Sequence, residues 1–141
     1  MKEGWKGSQT TSPEETISLG KNISSYLEKG DVLALIGDLA SGKTTFIKGV
    51  LEGMNYTKTV TSPTFTLINE YDAKYRIIHI DFYREDNPER WVKIGFHDYI
   101  NAKDIMVIEW ADRILNLLPD DYIRIEFVHK GKDKRQIRLI N

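Results

Sequence analysis

The sequence predicts a single α/β domain, a mixed and mainly parallel sheet flanked by helices, with antiparallel hairpins added to it. Three observations lead there. Val32-Leu33-Ala34-Leu35-Ile36 is a continuous apolar run that feeds directly into a glycine-rich segment, and an amphipathic helical pattern follows that segment. Ile105-Met106-Val107-Ile108 is a second unbroken apolar run of strand length, as a strand buried on both faces requires. β-prone stretches near residues 66–80 and 123–140, each interrupted by a short polar turn, supply the hairpins.

Length and composition set the frame. With 141 residues and 40% hydrophobic content, the chain fills one core but hardly two. The formal net charge of -1 gives no general attraction to nucleic acid or to an anionic membrane. The absence of cysteine removes disulfides, thiolate metal sites and thiol nucleophiles, and agrees with a reducing compartment. No apolar run approaches the roughly 18 residues of a membrane span, and residues 1–11 lack the apolar centre of a secretory signal. A cytoplasmic location is expected.

In chain order, residues 1–11 are polar, with Gly4, Gly7 and Ser8, and read as a flexible tail ahead of a domain over residues 12–141. Ser12-Pro13-Glu14-Glu15 combines a capping box with proline at the first helical position, so a helix is predicted over residues 13–29, stopped by Gly30. Beyond the glycine-rich segment, Phe46, Ile47, Val50, Leu51 and Met54 mark the buried face of a helix ending near Gly53. Residues 66–71 and 75–80 form a predicted hairpin across Asp72-Ala73-Lys74. Asn87-Pro88 can start a helix carrying Trp91, Ile94 and Phe96, and another is expected over residues 111–118, ended by Pro119. Ile123, Ile125 and Phe127 alternate with Arg124 and Glu126, and a last hairpin returns across Lys130-Gly131-Lys132-Asp133.

The segment Gly37-Asp38-Leu39-Ala40-Ser41-Gly42-Lys43-Thr44 matches G-x-x-x-x-G-K-[ST], the Walker A phosphate loop. Each fixed position has its own task at a polyphosphate. Gly37 and Gly42 allow backbone angles that turn successive N–H groups inward, and the following helix adds its positive N-terminal end. Lys43 reaches β- and γ-phosphate oxygens, the Thr44 hydroxyl suits Mg²⁺, and Thr45 stands near the α-phosphate. A buried strand before the loop and an amphipathic helix after it are the context this motif needs, and both are predicted.

Mg²⁺ at Thr44 calls for a carboxylate at the end of a neighbouring buried strand. Two candidates compete. Asp81 ends Arg76-Ile77-Ile78-His79-Ile80-Asp81, and Glu109 ends the more uniformly apolar run. That uniformity favours Glu109 as the metal carboxylate, directly or through water, and leaves Asp81 to orient the attacking water or to partner the active loop. His79, two residues before Asp81, shares its strand face and is expected to be a packed or surface histidine rather than a catalytic one. Thr61-Ser62-Pro63-Thr64 is either an ordinary turn or a γ-phosphate sensor acting through Thr64.

The order of Asn101-Ala102-Lys103-Asp104 is wrong for a guanine-reading Asn-Lys-x-Asp element, which leaves adenine as the expected base. Lys130, Lys132, Lys134, Arg135 and Arg138 make the last hairpin locally basic, most simply as a solvated face and otherwise as a contact for a nucleotide, an RNA phosphate or an acidic partner. Trp110 and Tyr83-Arg84 belong either to the core or to a docking surface beside the two strand-end acids. A small-molecule kinase would need an arginine-bearing lid, and no lid-sized polar insertion stands out. A module that only senses ATP would not need two strand-end acids.

With these residues laid out, the chain resembles the TsaE (YjeE) family over nearly its whole length after the tail. Four blocks carry the resemblance: the loop Gly37 to Thr45, Ser62-Pro63-Thr64-Phe65-Thr66-Leu67, His79-Ile80-Asp81-Phe82-Tyr83-Arg84 and Ile108-Glu109-Trp110. Ala40 and Phe82 stand where that family more often has Gly and Leu. The resemblance implies an ATPase that assists a two-subunit transferase, of TsaD and TsaB type, in placing threonylcarbamoyl on adenosine 37 of tRNAs reading ANN codons. The ATPase is then expected to reset the transferase rather than perform the transfer, to hydrolyse weakly alone, and to meet tRNA through the complex. By the same resemblance Thr44 and Glu109 ligate Mg²⁺, Lys43 holds phosphates, and Asp81 is needed for hydrolysis. Arg135 and a residue near Thr11 to Thr16 flank the adenine.

Overall fold

The computed structural model describes residues 7–37, 42–58, 68–81, 103–109, 111 and 115–140. Its strands are β1 (Ser8–Thr10), β2 (Val32–Ile36), β3 (Ile68–Asp72), β4 (Arg76–Asp81), β5 (Ile105–Glu109), β6 (Ile123–Gly131) and β7 (Lys134–Ile140), with helices α1 (Pro13–Ser24) and α2 (Lys43–Gly53). Among the described residues these strands form one sheet in the order β1-β7-β6-β2-β5-β4-β3. β2 pairs in parallel with both β5 and β6, and β4 in parallel with β5. β3, β7 and β1 complete the sheet through antiparallel ladders. The predicted mixed α/β architecture is therefore the observed one, parallel through the middle of the sheet and antiparallel at its hairpins.

The two unbroken apolar runs become β2 and β5 because both of their faces are covered. Leu33, Leu35, Ile105 and Val107 face a cluster containing Phe46, Ile47, Val50 and Leu51 of α2 and Ile23 of α1. Val32, Ala34, Met106 and Ile108 face a second cluster with Ile78, Ile80, Ala111 and Leu118. Side chains alternate across a strand, so the residue after Val107 by two, Glu109, and the residues after Ile77 by two and four, His79 and Asp81, lie on the α2 face.

Both helices are closed by local chemistry. Ser12 accepts the Glu15 N–H at 3.1 Å and Pro13 occupies the first turn, as predicted, although the Glu15 carboxylate turns to the Thr11 N–H and hydroxyl. α2 ends with Asn55 in the left-handed region, while Tyr56 N–H donates to Leu51 O at 2.9 Å and Asn55 N–H to Glu52 O at 3.0 Å. The helices cross at glycines. A Cβ on Gly49 would lie 2.1 Å from the Ile17 carbonyl oxygen, and one on Gly20 would lie 2.3 Å from that of Phe46. The backbones thus meet where no side chain intervenes.

Several boundaries differ from the sequence-based expectation. Ser8–Thr10 lies inside the segment read as tail, yet it pairs with β7, and Thr10 is buried with its hydroxyl 2.7 Å from that of Thr16. The strand is too short and polar to announce itself, and its edge position depends on β7. α1 ends at Ser24 rather than near residue 29. Ser25, Tyr26 and Leu27 donate three residues back, tightening the chain into turns before Gly30, whose φ of 94° supplies the last bend into β2. The helix expected over residues 111–118 is, among the described residues, a 3-10 turn at Leu115–Leu117. The final hairpin turns on Lys132 and Asp133, because β6 continues through a bulge to Gly131. The helix expected after Asn87-Pro88 lies outside the described residues.

Candidate functional site

The topology reverses around β2. The next parallel strands in the chain, β4 and β5, lie on one side of it and β6 lies on the other. In open α/β sheets the crevice at the carboxyl ends of such strands is where ligands are received. Gly37 follows β2 at that end, and Gly42, with φ 102°, turns the chain into Lys43 at the head of α2. That φ is one an L side chain rarely adopts, which explains the second glycine of the motif. Gly42 gives the helix no side-chain cap, so the first N–H groups of α2 have no capping side chain there. A helix start of this kind is suited to a phosphate.

Lys43 is buried and its Nζ donates to the Gly37 carbonyl, so the lysine folds back over the first residue of its own loop. Thr44 and Thr45 are half-buried on the first turn of α2. Asp38, Leu39, Ala40 and Ser41, together with Thr64 and the 61–64 turn, lie outside the described residues, as do Phe82-Tyr83-Arg84 and Trp110.

The two strand-end acids come together. Asp81 and Glu109 are direct Cα partners on the parallel β4–β5 ladder, and Glu109 is in turn the partner of Leu35 on β2. By ordinary strand spacing Glu109 stands about 5 Å from the strand that carries the loop, and Asp81 about 10 Å. Asp81 is 8% exposed and Glu109 3%. A carboxylate this far from water needs a partner. Glu109 has one in His79, whose Nε2 lies 2.6 Å from Oε2. His79 is fully buried, as a packed histidine was expected to be, but its bond to Glu109 across 30 residues of sequence was not foreseen. The available signal was parity, since His79 and Asp81 share a face.

Among the described residues no group of three or more His, Cys, Asp or Glu side chains is arranged to hold a metal by itself. The donor set suits a different kind of site. One hydroxyl at the head of α2, one or two carboxylates on adjacent strand ends and an oxygen-rich polyphosphate make the sparse protein coordination that Mg²⁺ takes.

A second feature lies on the other side of the loop. Ser12 at the N-cap of α1, Thr16 of α1, Gly42 and Thr45, and Asp133 and Arg135 of the last hairpin line a small cleft. Arg135 lies against Gly42, with its Cγ 3.6 Å from where a Cβ would be. Its Nη1 donates to the carbonyls of Lys132 and Lys134. The fold therefore brings the expected Arg135 and the 11–16 segment to the phosphate-loop helix. Thr11 itself does not line the cleft; its hydroxyl is engaged by Glu15.

Comparison with known proteins identifies the family of the chain. Residues 10–137 match the family model described as threonylcarbamoyl adenosine biosynthesis protein TsaE. The tRNA threonylcarbamoyladenosine biosynthesis protein TsaE of Bacillus subtilis is 41% identical over 131 residues, covering 92% of this chain and 81% of its own length. The protein of the same description from Haemophilus influenzae is 38% identical over 116 residues, covering 82% of this chain and 73% of its own. The crystal structure of Bacillus subtilis YdiB superposes with a TM-score of 0.78 at 35% identity, covering 94% of this chain and 82% of that one.

Proposed function

The chain belongs to the TsaE family of threonylcarbamoyl adenosine biosynthesis, and from that premise we propose that it is the ATP-hydrolysing member of the machinery that modifies adenosine 37 of tRNA. In this reading it switches or resets a threonylcarbamoyltransferase made of TsaD- and TsaB-type subunits and leaves the transfer itself to them. It works in the cytoplasm and meets tRNA through that complex. No helix among the described residues is long and apolar enough to cross a membrane.

The observation that carries the reading is the pairing of Asp81 with Glu109 on the strand next to the one that launches the phosphate loop. A protein that only bound nucleotide would need one of these acids at most, for the metal, and the second buried carboxylate costs desolvation that binding alone does not recover.

The residues divide the work. Lys43 and the N–H groups from Gly37, Asp38, Leu39, Ala40, Ser41 and Gly42 hold the phosphates of ATP or ADP, with Thr45 near the α-phosphate. Thr44 and Glu109 would hold Mg²⁺, which when bound offsets phosphate charge. Asp81 orients the attacking water, and Thr64 reports the γ-phosphate. Arg135 and the 11–16 segment flank the adenine, and the cleft between Thr16, Thr45 and Arg135 supports that part of the reading.

Phosphate release tests it. The protein is incubated with ATP and Mg²⁺, alone and with the two transferase subunits. Slow release alone and faster release in the mixture is the expected result. Tight ATP binding without release in any mixture would reduce the protein to a sensor, and phosphate recovered on an added metabolite would make it a kinase.

A further inference from the structure

We propose that His79 is a positioning residue that sets the orientation of Glu109, an inference that rests on the reading of Glu109 as the metal carboxylate. His79 sits on β4 opposite Val107, one step diagonal to Glu109, and reaches its Oε2 at 2.6 Å. With Glu109 ionised, the carboxylate is acceptor only, so Nε2–H is the donor. The contact is fully withdrawn from water, His79 being 0% and Glu109 3% exposed. One carboxylate oxygen, Oε2, is thereby held by the imidazole.

The imidazole is itself held. The Tyr71 ring stacks on it from β3, with centroids 6.4 Å apart and planes inclined by 30°. Tyr71 is buried, and its hydroxyl receives a hydrogen bond from Asn69 at 3.3 Å. Asn69, Tyr71, His79 and Glu109 therefore run as one layer from the sheet edge to the site, all on the α2 face. Among the described residues the other ring nitrogen, Nδ1, has no hydrogen-bond partner. The ring's hydrogen bond among the described residues is the one to Glu109. Outer partners of this kind fix ligand orientation, and their loss typically weakens metal affinity about tenfold to a hundredfold.

The test follows fluorescent ADP binding as Mg²⁺ is titrated, in the full-length protein and its variants. His79→Leu should raise the half-saturating Mg²⁺ about tenfold while leaving binding in EDTA unchanged. His79→Gln, which keeps a donor near the Nε2 position, should recover most of that loss. In a Glu109→Ala background His79→Leu should add nothing. If Glu109→Ala leaves the Mg²⁺ dependence intact, the reading of the metal site fails first. If Glu109→Ala shifts it but His79→Leu does not, or if Leu and Gln are equally impaired, the positioning role is overturned. Should His79→Leu fail to fold, long-range imidazole ¹⁵N spectra of the wild type and Glu109→Ala decide. The sequence has three histidines, so the His79 signals are assignable by comparison with His79→Gln. A proton on Nε2 whose resonance moves with Glu109→Ala supports the proposal, and an Nε2 without a proton or unaffected by that change overturns it.

Discussion

Asp81 and Glu109 face each other as Cα partners on adjacent parallel strands, both buried, yet only Glu109 also pairs with the strand that launches the phosphate loop. In the proposed reading their roles separate on that one-strand difference. Glu109→Ala should raise the Mg²⁺ needed for nucleotide binding by at least about tenfold, since a direct ligand is worth no less than an outer-shell partner. Asp81→Ala should shift Mg²⁺ dependence less and act mainly on hydrolysis. Titration of Mg²⁺ against bound ADP, beside phosphate release, checks both, and a larger Mg²⁺ effect at Asp81 would reverse the assignment.

Lys43→Ala should weaken ATP binding at least about tenfold and abolish hydrolysis, because hydrogen bonds to charged groups contribute roughly 1.5–3 kcal/mol. In the described structure the ammonium bonds the Gly37 carbonyl, so the substitution also frees that end of the loop. Calorimetric titration with ATP measures the loss. Affinity equal to wild type would remove Lys43 from the phosphate site.

Arg135→Ala should weaken nucleotide binding about threefold to thirtyfold, the range of a cation stacked on an aromatic base, without altering Mg²⁺ dependence. The side chain lies against Gly42 and shares a cleft with Thr16 and Thr45, on the side of the loop away from the acids. Comparing ADP with inorganic triphosphate isolates the base. An equal loss for both ligands would assign Arg135 to phosphates instead.

Gly49→Ala should destabilise the fold by about 1–3 kcal/mol even though alanine is the better helix former by roughly 1 kcal/mol. The new methyl carbon would fall 2.1 Å from the Ile17 carbonyl oxygen, and backbone cannot give way as a flexible side chain does. Lys48→Ala, exposed on the same helix, serves as the control and should be near neutral. Urea unfolding measures both, and a stabilised Gly49→Ala would mean that α1 can move away from α2.

Much of the fold was legible because its signals are local. The run Val32 to Ile36, the loop glycines and the Phe46, Ile47, Val50 pattern are contiguous, and each is interpretable without knowing its neighbours. Ser8–Thr10 was not, because a three-residue polar strand gains its hydrogen bonds only from β7, more than a hundred residues away. The end of α1 was missed for a related reason. Residues 25–29 have helical composition, but Gly30 N–H bonds Asp104 O, and Asp31 must enter the sheet beside Met106. Those long-range bonds fix where the chain turns.

The sequence by itself determined which residue types stand at the ends of the strands. A glycine-framed lysine and threonine, and acids closing two apolar runs, are written in residue types and spacings that backbone geometry alone interprets. Tertiary structure decided how those pieces rank. Strand order is set by which apolar faces bury each other, and this property belongs to no single segment. It inserts β5 between β2 and β4, bringing Glu109 nearer the loop than Asp81. It also sets His79 against a carboxylate 30 residues further on, turning a histidine that sequence could only describe as packed into the hydrogen-bond partner of Glu109.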